Sequence, residues 1–247
     1  MDIFFEIHQD LPREGPGDNA STRRALALLA HLPPQSLIVD VGCGPGMQTL
    51  ELARSTQGKI VAVDTHQPFL DKLRQRALAE GVSDRITAVQ ASMSSLDLKD
   101  QSVDVFWSEG AIYIMGFEQG LRAWQRFLKP GGYVAVTEAT WLRADPPDDL
   151  AAFWAMGYPA MQTVEGNLDI IRAAGYREVS HFTLPPSAWW TNYYTPLEAR
   201  IAMLRARYVG DPEALQQLDT EELEIDLYRK YSDWYGYVFY IMQAAKA

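Results

Sequence analysis

The chain has 247 residues, 47% of them hydrophobic, enough to bury a sizeable core within one domain spanning 1–247. Its formal net charge of -10 leaves no surplus of Lys and Arg for a phosphate backbone, so no nucleic acid is expected as a partner. The lone cysteine, Cys43, excludes an intramolecular disulfide and thiol-rich metal sites.

The first residues show no basic stretch followed by an apolar one, and no apolar run reaches membrane-span length. No signal peptide and no membrane contact are expected, and a cytoplasmic location follows. Residues 1–20 form an arm. Ile3, Phe4, Phe5, Ile7 and Leu11 precede a turn-rich stretch at 12–18 (PREGPGD). Those apolar side chains need burial, either on the outside of the fold or over the ligand cleft as a lid. His8 in this arm is a candidate base, against the reading of a surface histidine. His8, His31, His66 and His181 lack ligand spacing, so no metal is expected. Asn19, Ser21 and Thr22 offer N-caps to a helix carrying Leu26, Leu28, Leu29 and Leu32, which Pro33 and Pro34 end.

The apolar run at 37–41 predicts a buried strand. Gly42, Gly44 and Gly46 follow at alternate positions, and a helix begins near Met47. Strand, glycine turn and helix N-terminus together suit polar or anionic ligand atoms that approach the backbone closely. Cys43 is a small filler in that turn. A dinucleotide fingerprint fails, because Met47 stands where its third glycine belongs. The second strand, 59–64, ends at Asp64, placed to accept from ribose hydroxyls. A helix over 66–80 stops at Gly81, and a third strand covers 86–90, followed by Ser92 and Met93. The fourth strand, 102–109, ends at Glu109. Gly42, Asp64, Ser92 and Glu109 therefore share the carboxyl edge of the sheet, where ligands bind in such folds. Glu109 is a candidate ligand for an ammonium, or a general base.

Tyr113 follows as a candidate pocket residue. A helix at 117–128 leads to a fifth strand at 133–138, with Glu138 and Trp141 at its end facing the substrate. Helices are predicted over 148–157 and 162–174, then a sixth strand over 176–184. Residues 185–194 (PPSAWWTNYY) read as a loop bearing Trp189, Trp190, Tyr193 and Tyr194. Helices at 196–208 and 212–233 follow, the latter with a charge run at 221–224 (EELE) read as a solvated face. The last strand is 235–243. The insertion 185–233 walls an apolar pocket with Trp189, Trp190 and Tyr193, or pairs with a second copy in a homodimer.

Three motifs in order, VDVGCGPG (39–46), VAVD (61–64) and LKPGGYVAVTE (128–138), resemble those of the class I S-adenosylmethionine-dependent methyltransferases. FFEIHQDLPREGPG (4–17) and SEGAIYIMGFEQGLRAW (108–124) resemble a bacterial subgroup of uncharacterised small-molecule methyltransferases. The resemblance implies a Rossmann-like α/β sheet of seven strands. The last strand is antiparallel, helices cover both faces, and a helical insertion precedes the last strand. It implies S-adenosylmethionine as cofactor and S-adenosylhomocysteine as product, held by Asp40, Gly42, Cys43, Gly44, Gly46, Asp64, Ser92, Met93 and Glu109. The arm 1–20 would cover the site, with Arg13 meeting the cofactor carboxylate. Relatives usually carry an acidic residue where Ser92 stands. The N/D-P-P-Y motif of many nucleobase and amide methylating enzymes is replaced by SEGA (108–111), which disfavours base methylation. The expected reaction is in-line methyl transfer to a small-molecule acceptor. The competing readings are a macromolecular (protein or RNA) methyltransferase and a non-catalytic nucleoside-binding module.

Overall fold

The computed structural model describes residues 3–8, 10–30 and 32–245. His31 lies outside the described residues, as do the side chains of Phe4 and Phe5. The strands are β1 (Leu37–Val41), β2 (Lys59–Asp64), β3 (Ile86–Gln90), β4 (Val103–Glu109), β5 (Leu128–Trp141), β6 (Gln162–Thr163), β7 (Tyr176–Thr183) and β8 (Tyr235–Ala244). The helices before β5 are α1 (Ile3–Ile7), α2 (Asn19–Ala27), α3 (Met47–Ser55), α4 (Gln67–Ala79) and α5 (Phe117–Gln125). After it come α6 (Asp148–Gly157), α7 (Val164–Ala173), α8 (Pro186–Trp189), α9 (Thr195–Arg207) and α10 (Pro212–Tyr231).

The sheet runs in the order β3-β2-β1-β4-β5-β8-β7, parallel through β5, with β8 antiparallel between β5 and β7. The seven expected strands are present, and β6 is an addition. It arises because β4 pairs with β5 only as far as Thr137, whereas β5 continues to Trp141. Gln162 and Thr163 fill that open edge opposite Thr140 and Trp141, satisfying backbone groups that burial would otherwise strand.

Alternation along the strands sends side chains to two faces. Ile38, Ile60, Trp107, Ala135 and Phe239 join one core with α3 and α4. Val39, Phe106, Val134 and Tyr240 join the other with α5 and α7. A third core lies beyond the carboxyl edge. There Ile7 and Leu11 of the arm pack with Trp189, Tyr194, Leu197, Leu218 and Tyr235. Ile7 and Leu11 of the arm are thus buried against the insertion.

Two local readings change. The N-cap of α2 is Asp18, whose carboxylate accepts from the Ser21 amide at 2.8 Å. The aromatic stretch after Pro185 is helical: α8 runs into a wide π-type turn over Trp190–Tyr194 and on into α9. The Pro185-Pro186 pair that signals a break is a start, because proline suits the first turn of a helix. Wide turns of this kind occur often at functional sites. Here the turn brings Tyr193 and Tyr194 into the core and stacks Trp189 on Tyr228, ring centres 4.1 Å apart.

Candidate functional site

The glycine loop follows β1 because its backbone must turn back under the helix that succeeds it. Gly42, Gly44 and Gly46 all have positive φ, a region closed to most side chains. A methyl on Gly42 would overlap that of Ala111, and one on Gly46 would overlap Leu73. The loop is tied to β2 by Gly42 and Cys43 amides donating to the Val63 carbonyl at 2.8 and 3.0 Å. Asp64 closes the arrangement, accepting from the amides of Gly44 and His66, each at 2.9 Å.

A cavity of about 260 Å³ lies on this loop, walled by Gly42, Cys43, Gly44, Asp64, Glu109 and Arg13 among others. His66 and Phe69 complete it on the α4 side. Cys43 is buried, and burial pushes its thiol well up, as expected of a filler. Gly46 packs against Leu73 and is off the wall, so its glycine serves the turn. Asp40 is also off the wall. It is fully buried beneath the loop, accepts from Thr49 of α3, and burial raises its carboxyl to about 7. Ser92 and Met93 stand outside the wall as well: the Ser92 hydroxyl bonds that of Ser94, and Met93 packs into the second core. The sequence places both at the right sheet edge, and Met93 Cε lies 3.8 Å from where a Cβ on Gly42 of the loop would stand.

Arg13 and Glu109 meet. The guanidinium Nη2 donates to Glu109 Oε2 at 2.7 Å, with side-chain exposures of 4% and 0%. The other Glu109 oxygen accepts from Thr22 at 2.7 Å and Trp107 at 2.9 Å. With both oxygens engaged, Glu109 is an anchor for the arm in this arrangement, not an available base. Arg13 Nη1 has no protein partner although it is buried. A buried charged donor without a partner is costly, and this one borders the loop cavity, where a ligand carboxylate would satisfy it.

His8 is also corrected as a base. Its ring is buried between Glu14 and Glu221, with Nδ1 3.3 Å from Glu14 and Nε2 3.8 Å from Glu221. Burial opposes its charge, but the two carboxylates prevail and raise its pKa to about 9. At neutral pH the imidazole is a cation and has no lone pair with which to take a proton.

A second cavity, of about 420 Å³, adjoins the first and shares Glu14, Gly15, Gly110 and Tyr113 with it. Trp189 and Tyr193 line it, as the aromatic insertion suggested, together with Trp154, Tyr158 and Tyr237, which the sequence reading passed over. Trp141 instead borders a separate shallow groove. Trp190 is half-buried against Tyr194 and Tyr228, under Arg229, and not on the wall.

Two carboxyls here were not foreseen as a pair. Glu224 lines the cavity, accepts from the Tyr194 hydroxyl at 2.8 Å, and is raised by burial to about 7. Glu138, at the end of β5, is 2% exposed with neither oxygen in a hydrogen bond of proper geometry. Burial raises it to about 8, and the nearby Tyr158 phenol pulls the other way. Among the described residues no group of His, Cys, Asp and Glu is arranged to hold a metal, and no helix is long and apolar enough to cross a membrane.

Residues 38–132 match a family model described as a methyltransferase domain. The chain is 30% identical over 127 residues to the methyltransferase GfsG of Streptomyces halstedii, covering 51% of this chain and 45% of that protein. It is 30% identical over 141 residues to protein arginine N-methyltransferase 1 of Schizosaccharomyces pombe, covering 53% and 41%. The chain spans about half the length of these curated relatives. Among solved structures, a SAM-dependent methyltransferase from Thiobacillus denitrificans in complex with S-adenosyl-L-homocysteine has a TM-score of 0.84 at 20% identity, covering 99% of this chain and 98% of that one.

Proposed function

We propose that this chain, whose residues 38–132 match a methyltransferase domain and whose fold is shared with S-adenosylmethionine-dependent methyltransferases, is a class I enzyme of that kind and methylates a small molecule seated in the aromatic cavity. The observation that carries this reading is the shared wall. A ligand on the glycine loop and one beneath the insertion would meet at Gly110 and Tyr113. A cavity of about 420 Å³ lies in the range of small-ligand sites, about 300–1,000 Å³. The arm and insertion close over it, which favours a compact acceptor over a protein or nucleic-acid surface.

Bound on the loop, S-adenosylmethionine supplies a methyl group already activated by its sulfonium. Asp64 would hold the ribose: each of its oxygens accepts one backbone amide and keeps a lone pair for a hydroxyl. The free Nη1 of Arg13 would hold the carboxylate, with Glu109 fixing the guanidinium in place. Gly42 and Gly44 leave the loop backbone accessible. The protein's part is then orientation and exclusion of water, which contribute most when the reacting partners are held at short range. Tyr113, Trp189 and Tyr193 would shape the acceptor side.

Calorimetric titration with S-adenosylmethionine, S-adenosylhomocysteine and NAD tests the cofactor. Micromolar binding of the first two with NAD silent is the expected result. Binding of NAD alone, or of none, would refute the reading.

A further inference from the structure

The acceptor cavity has a charge character as well as a shape. Among the described residues its wall carries no Lys, Arg or His, while Glu14 and Glu224 stand on it. The neighbourhood already holds one buried cation, since His8 sits between Glu14 and Glu221. Glu138 lies behind the wall, buried, with neither oxygen in a hydrogen bond of proper geometry and the Tyr158 phenol of the cavity beside it. An anionic acceptor would have to enter among carboxyls whose nearby cation, His8, is already held between two of them, which is unfavourable. A cation finds the reverse: carboxylates to pair with and ring faces whose negative quadrupole attracts it.

Resting on the proposed methyl transfer, we propose that the acceptor is a small organic amine, bound as its ammonium ion between Glu224 and the aromatic wall and methylated on nitrogen. An ammonium has no lone pair, so one N–H bond must first release its proton. The Glu224 carboxylate takes it. The freed lone pair forms the new N–CH3 bond, while the electron pair of the broken S–CH3 bond stays on sulfur. Burial brings Glu224 to about 7, close to the pH at which a base of this kind exchanges protons readily.

The test uses the full chain at pH 7.5 and three skeletons (benzyl, 2-phenylethyl and cyclohexylmethyl), each as amine, alcohol and carboxylate. Binding is read by calorimetry and by tryptophan fluorescence, since Trp154 and Trp189 line the cavity. Each titration is run with and without saturating S-adenosylhomocysteine. Amines are expected to bind at least about tenfold tighter than the matching alcohols, with carboxylates weaker still. In E224Q the amine preference should fall by about tenfold while alcohol binding stays within about twofold. E222Q, on the exposed side of the same helix, should change neither. Wild-type protein that prefers alcohols or carboxylates, or shows no preference for amines on any skeleton, overturns the inference whatever the folding of E224Q. An unchanged amine preference in folded E224Q overturns the role of that carboxylate. S-adenosylhomocysteine affinity from the same runs keeps the two readings apart: intact cofactor binding without amine preference sinks only the acceptor class.

Discussion

Gly17→Ala tests the arm's arrangement without touching a charge. Gly17 is buried, and a Cβ there would stand 2.8 Å from Arg13 Nε and closer still to Cζ and Nη2. Normal carbon contacts need about 3.5 Å, so the guanidinium must retreat by about 1 Å. That retreat stretches the 2.7 Å bond to Glu109 beyond hydrogen-bonding range. A charged hydrogen bond contributes about 1.5–3 kcal/mol. Glu109 keeps Thr22 and Trp107 as donors, so it is not left fully unpaired. Replacing glycine also stiffens the unfolded chain, which returns about 0.4–1 kcal/mol. The net loss is about 0.5–2.6 kcal/mol, a fall in Tm of about 1–10 °C for a chain of this size. Nη1 moves with the same group, so affinity for S-adenosylhomocysteine should drop about tenfold. Thermal denaturation and calorimetry read the two effects. If the alanine acts through Arg13, adding it to R13A should cost little more, because the two changes remove one interaction. Wild-type Tm and affinity in G17A would refute the placement of Arg13.

Asp64→Asn should weaken S-adenosylhomocysteine binding about tenfold with little change in Tm, since the amide oxygen can replace only one of the two acceptors seen by the Gly44 and His66 amides; calorimetry checks it. Gly46→Ala should destabilise by about 2–4 kcal/mol, from positive φ together with overlap on Leu73, as read by urea denaturation. Stability should fall with rising pH between about 4 and 9. Asp40, Glu138 and Glu224 rise in the fold to about 7, 8 and 7, and His8 to about 9. Each group binds its proton more tightly folded than unfolded, so the folded state loses ground as pH passes from the unfolded to the folded value. Glu138→Gln should flatten the slope between 4.5 and about 8, the limits for that group; denaturation across pH that shows equal slopes would count against its burial.

The sheet was legible because its signals are local. Apolar runs at 37–41 and 59–64 and glycines at alternate positions each fix short stretches of backbone, and parallel order follows from the helices between them. The stretch 129–132, expected to precede the fifth strand, is instead part of β5, whose register shifts there. Gly42, Gly44 and Asp64 were legible for the same reason: a strand end and the turn after it define where they stand. Ser92 and Met93 were less sharply legible, because the sheet edge sets position only to within a turn, and the direction of a side chain there depends on the loop that follows. His8 was readable as buried only through partners at Glu14 and Glu221, one of them on the far side of the chain. Sequence alone offers no measure of such a meeting.

The charge run at 221–224 is the more instructive miss, because its signal was present. Leu218, Glu221, Ile225 and Tyr228 recur at three- and four-residue spacing, and Glu224 lies one turn before Tyr228. That spacing is one helical face. Ile225 and Tyr228 on it are buried, whereas Glu222 and Leu223 are exposed. Composition treats the four residues as one solvated block; periodicity divides them into two carboxyls facing in and a pair facing out. A carboxyl turned inward on an otherwise apolar face carries a desolvation penalty that packing alone does not repay. Its presence therefore calls for a partner: Glu221 has His8, and Glu224 has only the neutral Tyr194 hydroxyl among the bonds it makes. The remaining capacity of Glu224 is directed at the cavity, and that imbalance is what an ammonium ligand would remove.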